Sequence, residues 1–192
     1  MVTHQKRNSG INGSARNHIL YLEELSLSKI TTLCYIRNRG RVLMLFRNKK
    51  DHDENEGKWI GVGGKLECGE SPDECMLREV REETGLTLTS YRFRGVISFI
   101  SDVWDDEYMM LYDAVSFEGI LRKDCPEGML KWIPEEEVMS LRLWEGDRLF
   151  LDKLLHSEGP IHMKLTYQGE ALKQWVDYGC GLQGPSEPVQ PY

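Results

Sequence analysis

The sequence predicts a single α/β domain, because strand-like and helix-like segments alternate along a chain of moderate length. The chain has 192 residues, 40% of them hydrophobic, which suffices for one core and is too short for two ordinary domains. Short apolar runs rich in β-branched residues predict strands, and a capped, periodic stretch predicts a helix. We expect the domain to span residues 29–178, between a flexible extension at 1–28 and a disordered tail at 179–192.

The first predicted strands form a hairpin over residues 30–36 and 41–46, with a turn at Gly40 between them. Residues 48–58 are highly charged and have no apolar period, so they predict an exposed loop. The remaining apolar runs predict strands over 91–101, 107–117, 129–133, 161–167 and 171–176, and shorter helices over 135–139 and 145–155.

Residues 71–83 carry the clearest helix signal. Ser71 can cap the helix, Pro72 suits its first turn, and Glu74 completes an S-x-x-E capping box. Gly85 stands where a helix commonly ends. These local signals predict a helix of about three turns in the first half of the domain.

Composition limits the classes of partner. A formal net charge of −7 and a pI of about 5.3 are of the wrong sign for a protein that grips a nucleic-acid polymer. A small anionic substrate would need a metal ion or a few placed Lys and Arg residues. The five cysteines form no CxxC pair, so they predict reduced thiols in the cytoplasm.

The ends of the chain give weaker signals. No apolar run has the length of a membrane span, and the first residues lack the apolar core of a secretory signal. Residues 1–18 are polar, basic and free of acids, which is also typical of a transit peptide, but we favour an unstructured extension. The choice between monomer and homodimer stays open.

Three carboxylates share one stripe of the predicted helix. At roughly 100° per residue, Glu79, Glu82 and Glu83 fall within a sector of about 100°. Their mutual repulsion has no use in folding, whereas a divalent cation would bind carboxylate oxygens and bridge substrate phosphates. Arg78 is spaced to bridge Glu74 and Glu82 and so to orient the latter. A solvated acidic helix face is the alternative.

The helix belongs to a longer motif, G-x5-E-x7-R-E-V-x-E-E-x-G-L. Its filled positions are Gly64, Glu70, Arg78, Glu79, Val80, Glu82, Glu83, Gly85 and Leu86. This motif resembles the Nudix box at every defining position. The resemblance implies a Nudix fold, an α/β/α sandwich with a mixed β-sheet, and hydrolysis of a nucleoside diphosphate linked to another group. It also implies Mg²⁺ as cofactor, with Mn²⁺ able to substitute.

The resemblance assigns roles to particular residues. Glu79, Glu82 and Glu83, with the backbone carbonyl of Gly63, are similar to the family's metal ligands. Arg47 and Lys65 are similar to its phosphate-charge partners. The general base is either a helix carboxylate or an acid of the loop at Asp105, Asp106 and Glu107, among which Glu107 matches the family's loop acid best.

The resemblance is more specific to the MutT- and MutX-type 8-oxo-dGTP diphosphatases, through residues 57–65 and 143–147. It implies that Trp144 and Asp147 bind the base by stacking and by accepting its N–H groups; core packing and a helix-dipole contact are the alternative. Ile60 and Gly146 depart from the related mammalian enzyme, which leaves the base open.

A small-molecule nucleotide is therefore the expected partner, with 8-oxo-dGTP the favoured substrate. ADP-ribose, a dinucleotide or an ordinary dNTP would need the same chemistry and stay as alternatives. A domain that binds nucleotide without cutting it is a further alternative, which the retention of Glu79, Glu82 and Glu83 disfavours.

Overall fold

The structure is a computed structural model that describes residues 28–49 and 53–179, and the backbone of 182–183. Its helices are α1 (Pro72–Thr84), α2 (Glu135–Val138) and α3 (Glu145–His156). Its strands are β1 (Lys29–Asn38), β2 (Arg41–Arg47), β3 (Trp59–Ile60), β4 (Thr87–Ser101), β5 (Glu107–Glu118), β6 (Gly128–Pro134), β7 (Ile161–Gln168), β8 (Ala171–Asp177) and β9 (Leu182–Gln183). Within these residues no helix is both long enough and apolar enough to cross a membrane.

All the strands join one mixed sheet. Its order is β3-β2-β1-β5-β4-β7-β8-β9, and β6 pairs with β2 along the full length of that strand. The pairs β1–β5 and β4–β7 are parallel, and the others are antiparallel. The hairpin between β1 and β2 turns through Arg39 and Gly40, whose φ angles of 51° and 71° are both left-handed, a conformation that glycine adopts at little cost.

Each face of the sheet buries its own hydrophobic core. On one face, Met76 and Val80 of α1 pack against alternate side chains of the central strands. On the other face, Phe150, Leu151 and Leu154 of α3 pack against the side chains that point the opposite way. Successive side chains along each strand point to opposite faces, so a sheet covered by helices on both faces buries both sets. The predicted α/β/α sandwich with a mixed sheet is confirmed.

The local signals located the elements well. Helix α1 begins at the Ser71 cap with both hydrogen bonds of the capping box, and it ends at Gly85, whose φ is 76°. Each predicted strand or helix is present, with bounds within a few residues of those expected. The two-residue strands β3 and β9 were not predicted. Strand β9 lies inside the predicted tail and pairs with β8, whereas the predicted extension lies almost wholly outside the described residues.

Candidate active site

The loop between β3 and α1 is pressed against β1, which explains its glycines. Backbone hydrogen bonds join Cys34 to Val62 and Thr32 to the carbonyl of Gly64. A Cβ added at Gly63 would lie 2.0 Å from the carbonyl oxygen of Thr32, and one added at Gly64 would lie 2.4 Å from Oε1 of a helix carboxylate. Only glycine fits at position 63, where the close atom belongs to the backbone, and a side chain at position 64 would push the Glu79 carboxylate aside. The loop backbone therefore directly borders the acidic side of α1.

This loop borders a cavity of about 370 Å³ between α1, the start of β1 and the start of α3. The predicted site residues that line it are Arg47, Gly63, Lys65, Glu79, Glu83, Glu107, Trp144 and Asp147. Arg78 and Glu82 do not line it. The topology has thus brought together residues from distant parts of the chain, as the motif resemblance requires.

Arg78 organises the acids around it. Its guanidinium donates two hydrogen bonds to Glu70, at 2.6 and 2.9 Å, and one to Glu79 at 2.8 Å. A longer contact of 3.3 Å reaches Glu82. The predicted bridge to Glu74 is wrong, because Glu74 accepts hydrogen bonds from the helix cap instead. The partner that orients Arg78 is Glu70, whose pKa falls to about 2 beside the arginine.

Of the three helix carboxylates, two face the cavity. Glu83 is 4% exposed, and the amide of Gly63 donates to it at 3.3 Å. Burial, with Glu79 nearby, raises the pKa of Glu83 to about 8. Glu82 has a side chain 61% exposed and contacts Arg78 outside the cavity. The structure therefore does not place Glu82 with the other predicted metal ligands.

The charge of the cavity wall bears on whether a metal fits. Seven acids line it against three basic residues: Asp53, Glu54, Glu79, Glu83, Glu107, Glu127 and Asp147 against Lys29, Arg47 and Lys65. Such a wall repels phosphates unless cations are added. Among the described residues no three His, Cys, Asp or Glu side chains already converge as a complete metal site. Glu79, Glu83 and the Gly63 carbonyl nonetheless supply the oxygen donors that Mg²⁺ prefers, so a divalent ion fits here.

The two predicted phosphate partners, Arg47 and Lys65, differ in whether nearby acids already compensate their positive charge. Arg47 donates to Asp53 and pairs with Glu127, both at 2.6 Å, so two acids already compensate it. Lys65 lines the cavity and forms no ion pair with any residue that the structure describes. Lys65 can therefore meet a phosphate directly, whereas Arg47 would have to exchange partners.

Glu107 lines the cavity from the first position of β5. Thr31 donates to it at 2.5 Å, and burial raises its pKa. Its charged neighbours are Glu54 and Lys29, and Glu107 in turn raises the pKa of Asp147. We call this the distal side, made of Thr31, Asn55, Glu107, Trp144 and Asp147, and call the wall at Gly63, Gly64, Glu79 and Glu83 the helix side. Thr31 also forms a β-bridge with Lys65, the residue after Gly64, and the catalytic role of Glu107 stays a prediction.

Trp144 lines the cavity but is largely enclosed by its neighbours. The residue is only 5% exposed, its ring packs edge-on against Phe99 and Tyr167, and the ammonium of Lys58 lies 3.9 Å from the ring centroid. Its indole N–H donates to Asn55 at 2.8 Å. Trp144 also caps α3 rather than lying within it. Trp144 thus forms part of the cavity wall with Lys58 over its ring, and its stacking role stays a prediction.

Asp147 keeps its predicted place on the cavity wall, 6% exposed, in the first turn of α3. The departure at Gly146 has a packing reason. A Cβ there would lie 2.6 Å from both Leu165 and the hydroxyl of Tyr167, which accepts a hydrogen bond from the Gly146 amide at 2.7 Å. An acid at position 146 would have to displace Leu165 and Tyr167. Of the two acids in this turn, Glu145 and Asp147, Asp147 lines the cavity.

Sequence reasoning missed several residues of the site. Lys58 is buried against Trp144 and pairs with Glu170 at 3.0 Å, and Asp53 and Asn55 lie in the loop predicted only as exposed. Their signal is weak, since charged loops are common. Glu127 lines the cavity from the start of β6, which no local pattern indicates.

The cavity is lined by carboxylates and lies beside a capped acidic helix, on a mixed sheet between helices. This arrangement is that of the Nudix class of hydrolases, which act on pyrophosphate bonds. The NUDIX domain family model matches residues 27–154, and the chain belongs to that family. It is 32% identical over 148 residues to an uncharacterised Nudix hydrolase, YvcI, of Bacillus subtilis, covering 75% of this chain and 89% of that protein.

The chain is also similar to a protein whose name states an activity and to a protein whose structure has been solved. The chain is 29% identical over 133 residues to the oxidised purine nucleoside triphosphate hydrolase of Danio rerio, covering 68% of this chain and 82% of that protein. The crystal structure of a mutator MutT protein from Bacillus halodurans superposes with a TM-score of 0.71 at 28% identity, covering 78% of this chain and 97% of that one. The fold and family are thus shared with MutT proteins.

Asp147→Asn will stabilise the protein near pH 8, and the gain will shrink as the pH falls. Burial, with the charge of Glu107, raises the pKa of Asp147 from 3.8 to about 8. The folded state then holds a proton that the unfolded state releases, so the stability of the native protein falls as the pH rises between those values. Asparagine has no proton to lose, and we expect a gain on the order of 2 kcal/mol near pH 8.

Urea unfolding of both proteins at about pH 5 and about pH 8 checks this expectation. Asp152→Asn, on the same helix but with a side chain 70% exposed, is the matched control and should show little difference at either pH. A gain that is equal at the two pH values would show that Asp147 does not titrate differently in the folded state.

Proposed function

We propose that the protein hydrolyses oxidised purine nucleoside triphosphates, with 8-oxo-dGTP preferred, to the nucleoside monophosphate and pyrophosphate. The observation that supports this most is the division of one cavity into a helix side suited to cations and phosphates and a distal side with a buried acceptor, Asp147. Oxidation at C8 turns N7 of guanine from an acceptor into an N–H donor. Asp147 holds a proton below about pH 8, but the carbonyl oxygen of a carboxyl group still accepts a hydrogen bond, so Asp147 can read the oxidised base.

The similarity to the Danio rerio hydrolase, whose name states oxidised purine nucleoside triphosphates, supports the same substrate class. Removal of such nucleotides before they reach DNA would be the cellular purpose. ADP-ribose, dinucleotides and ordinary dNTPs remain the competing substrates, because the helix side would serve any of them. A non-catalytic domain is disfavoured, since Glu79 and Glu83 both face the cavity.

The residues of the helix side divide the work of the reaction. Glu79, Glu83 and the Gly63 carbonyl would hold Mg²⁺, for which Mn²⁺ can substitute, and a bound ion would neutralise phosphate charge and make water a stronger nucleophile. Arg78 holds Glu79 at 2.8 Å and so fixes one donor in place. Lys65 adds a positive charge beside the phosphates.

The proton of the attacking water goes, in this proposal, to a helix carboxylate rather than to Glu107. Glu79 and Glu83 line the cavity beside Gly63 and Gly64, whereas Glu107 already accepts from Thr31 and has Glu54 and Lys29 as its charged neighbours. The in-line attack needs placement and charge neutralisation more than covalent help. The distal side then binds the base, and this binding sets how far the phosphates lie from α1.

A substrate panel tests the proposal directly. With Mg²⁺ present, we expect kcat/KM for 8-oxo-dGTP to exceed that for dGTP by about tenfold or more, with nucleoside monophosphate and pyrophosphate as products resolved by chromatography. The panel should include the four normal dNTPs, ADP-ribose and a dinucleoside polyphosphate. Equal kcat/KM for all dNTPs, or a preference for ADP-ribose, would reject the proposed substrate.

A further inference from the structure

Asn55 is held in a fixed position at the distal side of the cavity. It lies in a tight turn in which its amide N–H donates to the Asp53 carboxylate at 3.1 Å and its carbonyl accepts from the Lys58 amide at 3.0 Å. The turn is tied to β2, because Gly57 donates to the Arg47 carbonyl at 2.7 Å. Both backbone polar groups of Asn55 are thus satisfied, and its side chain starts from a rigid base.

The orientation of the Asn55 amide follows from its partner. The indole nitrogen of Trp144 lies 2.8 Å from Oδ1 of Asn55. An indole N–H can only donate, so the atom that faces it must be the amide oxygen and not the amide nitrogen. Trp144 is itself fixed by Phe99 and Tyr167, so the amide cannot flip without breaking this hydrogen bond.

The NH₂ group of Asn55 is the part left for a ligand. It forms no hydrogen bond with any residue in the described ranges, and Asn55 lines the cavity. The neighbouring polar groups on the distal side are carboxylates: Asp147, and Glu107 already accepting from Thr31. The Asn55 NH₂ group is a donor, and Asp147 on the same side of the cavity is an acceptor. Together they match a base that carries both a carbonyl oxygen and N–H groups.

We propose that Asn55 is a specificity-determining residue that donates a hydrogen bond to a carbonyl oxygen of an oxidised purine, while Asp147 accepts from a ring N–H. This inference rests on the proposed function and names the residue that selects among purines. A base with an amino group in place of that carbonyl would set donor against donor, leaving both unpaired in a buried site. The selection is therefore for oxo over amino purines.

The test separates two roles of Asn55: donating a hydrogen bond to the base, and accepting the hydrogen bond that holds Trp144. Asn55→Asp keeps an oxygen for the Trp144 N–H but removes the NH₂ donor, whereas Asn55→Ala removes both. We expect Asn55→Asp to raise KM for 8-oxo-dGTP about tenfold with kcat changed less, and to reduce the preference for 8-oxo-dGTP over dATP by a similar factor. Asn48→Asp adds the same charge at an exposed position outside the cavity and should keep the wild-type values.

Each outcome bears on the inference. Loss of preference in both Asn55 variants, with wild-type thermal melting in at least one, supports it. An Asn55→Asp enzyme with the wild-type substrate ratio overturns it, whether or not Asn55→Ala is impaired, since that pattern means Asn55 only supports Trp144. A wild-type enzyme that prefers 8-oxo-dGTP in the same experiment keeps the proposed function standing. A wild-type enzyme that accepts no purine triphosphate overturns both.

Discussion

Hydrolysis will stop when divalent cations are removed with EDTA and will return when excess Mg²⁺ or Mn²⁺ is added. The physical reason is the charge of the cavity wall, where seven acids stand against three basic residues and one of those bases, Arg47, is already paired with two acids. A triphosphate brought into that wall without cations would add like charge to like charge. Turnover measured by product chromatography before and after metal replacement checks the result.

Thermal denaturation supplies a second readout that does not depend on turnover. A cation that binds the folded cavity stabilises the native state by about 2.7 kcal/mol at a hundred times its Kd, so the melting temperature should rise with Mg²⁺ concentration. The EDTA-treated protein should still unfold in one cooperative transition, which separates loss of cofactor from loss of fold. Undiminished turnover in excess EDTA would rule out a metal-dependent mechanism.

The elements that could be predicted from the sequence are those with local determinants. The bounds of α1 follow from the Ser71 cap and from Gly85, both of which act through neighbours in the chain. Strand β3 could not be predicted, because two residues carry no period. Its pairing of Leu45 with Ile60 exists only once the intervening loop has folded back on β2.

The same distinction applies to the site. Helical spacing places Glu79 and Glu83 near the cavity, since both positions follow from the periodicity of α1. Spacing does not say which of the neighbouring acids faces the loop, and Glu82 falls on the solvent side. The partners of Arg47 and Trp144 come from the charged loop, at Asp53 and Asn55, and contacts of that kind depend on tertiary structure that a motif does not encode.

Glu83→Gln will lower kcat by about a hundredfold or more while the fold survives, because it removes a ligand charge rather than a core contact. Glu83 is the most enclosed of the helix carboxylates, at 4% exposure, and it is joined to the loop through the amide of Gly63. Glutamine keeps an oxygen that can accept from that amide. The matched comparison is Glu82→Gln, one residue earlier, whose carboxylate is 61% exposed and lies outside the cavity; we expect its loss in kcat to be about tenfold or less.

Glu136→Gln, on the exposed surface of α2, controls for the loss of one negative charge and should leave kcat and KM unchanged. Steady-state kinetics of the three variants, with circular dichroism to confirm the fold, gives the ranking. The order Glu83, then Glu82, then Glu136 follows from burial and from the direction in which each side chain points. Equal losses at Glu82 and Glu83 would mean that Glu82 exchanges Arg78 for the cavity when the metal and substrate bind. A near-normal kcat in Glu83→Gln would move the main ligand role to Glu79, the other carboxylate on the helix side.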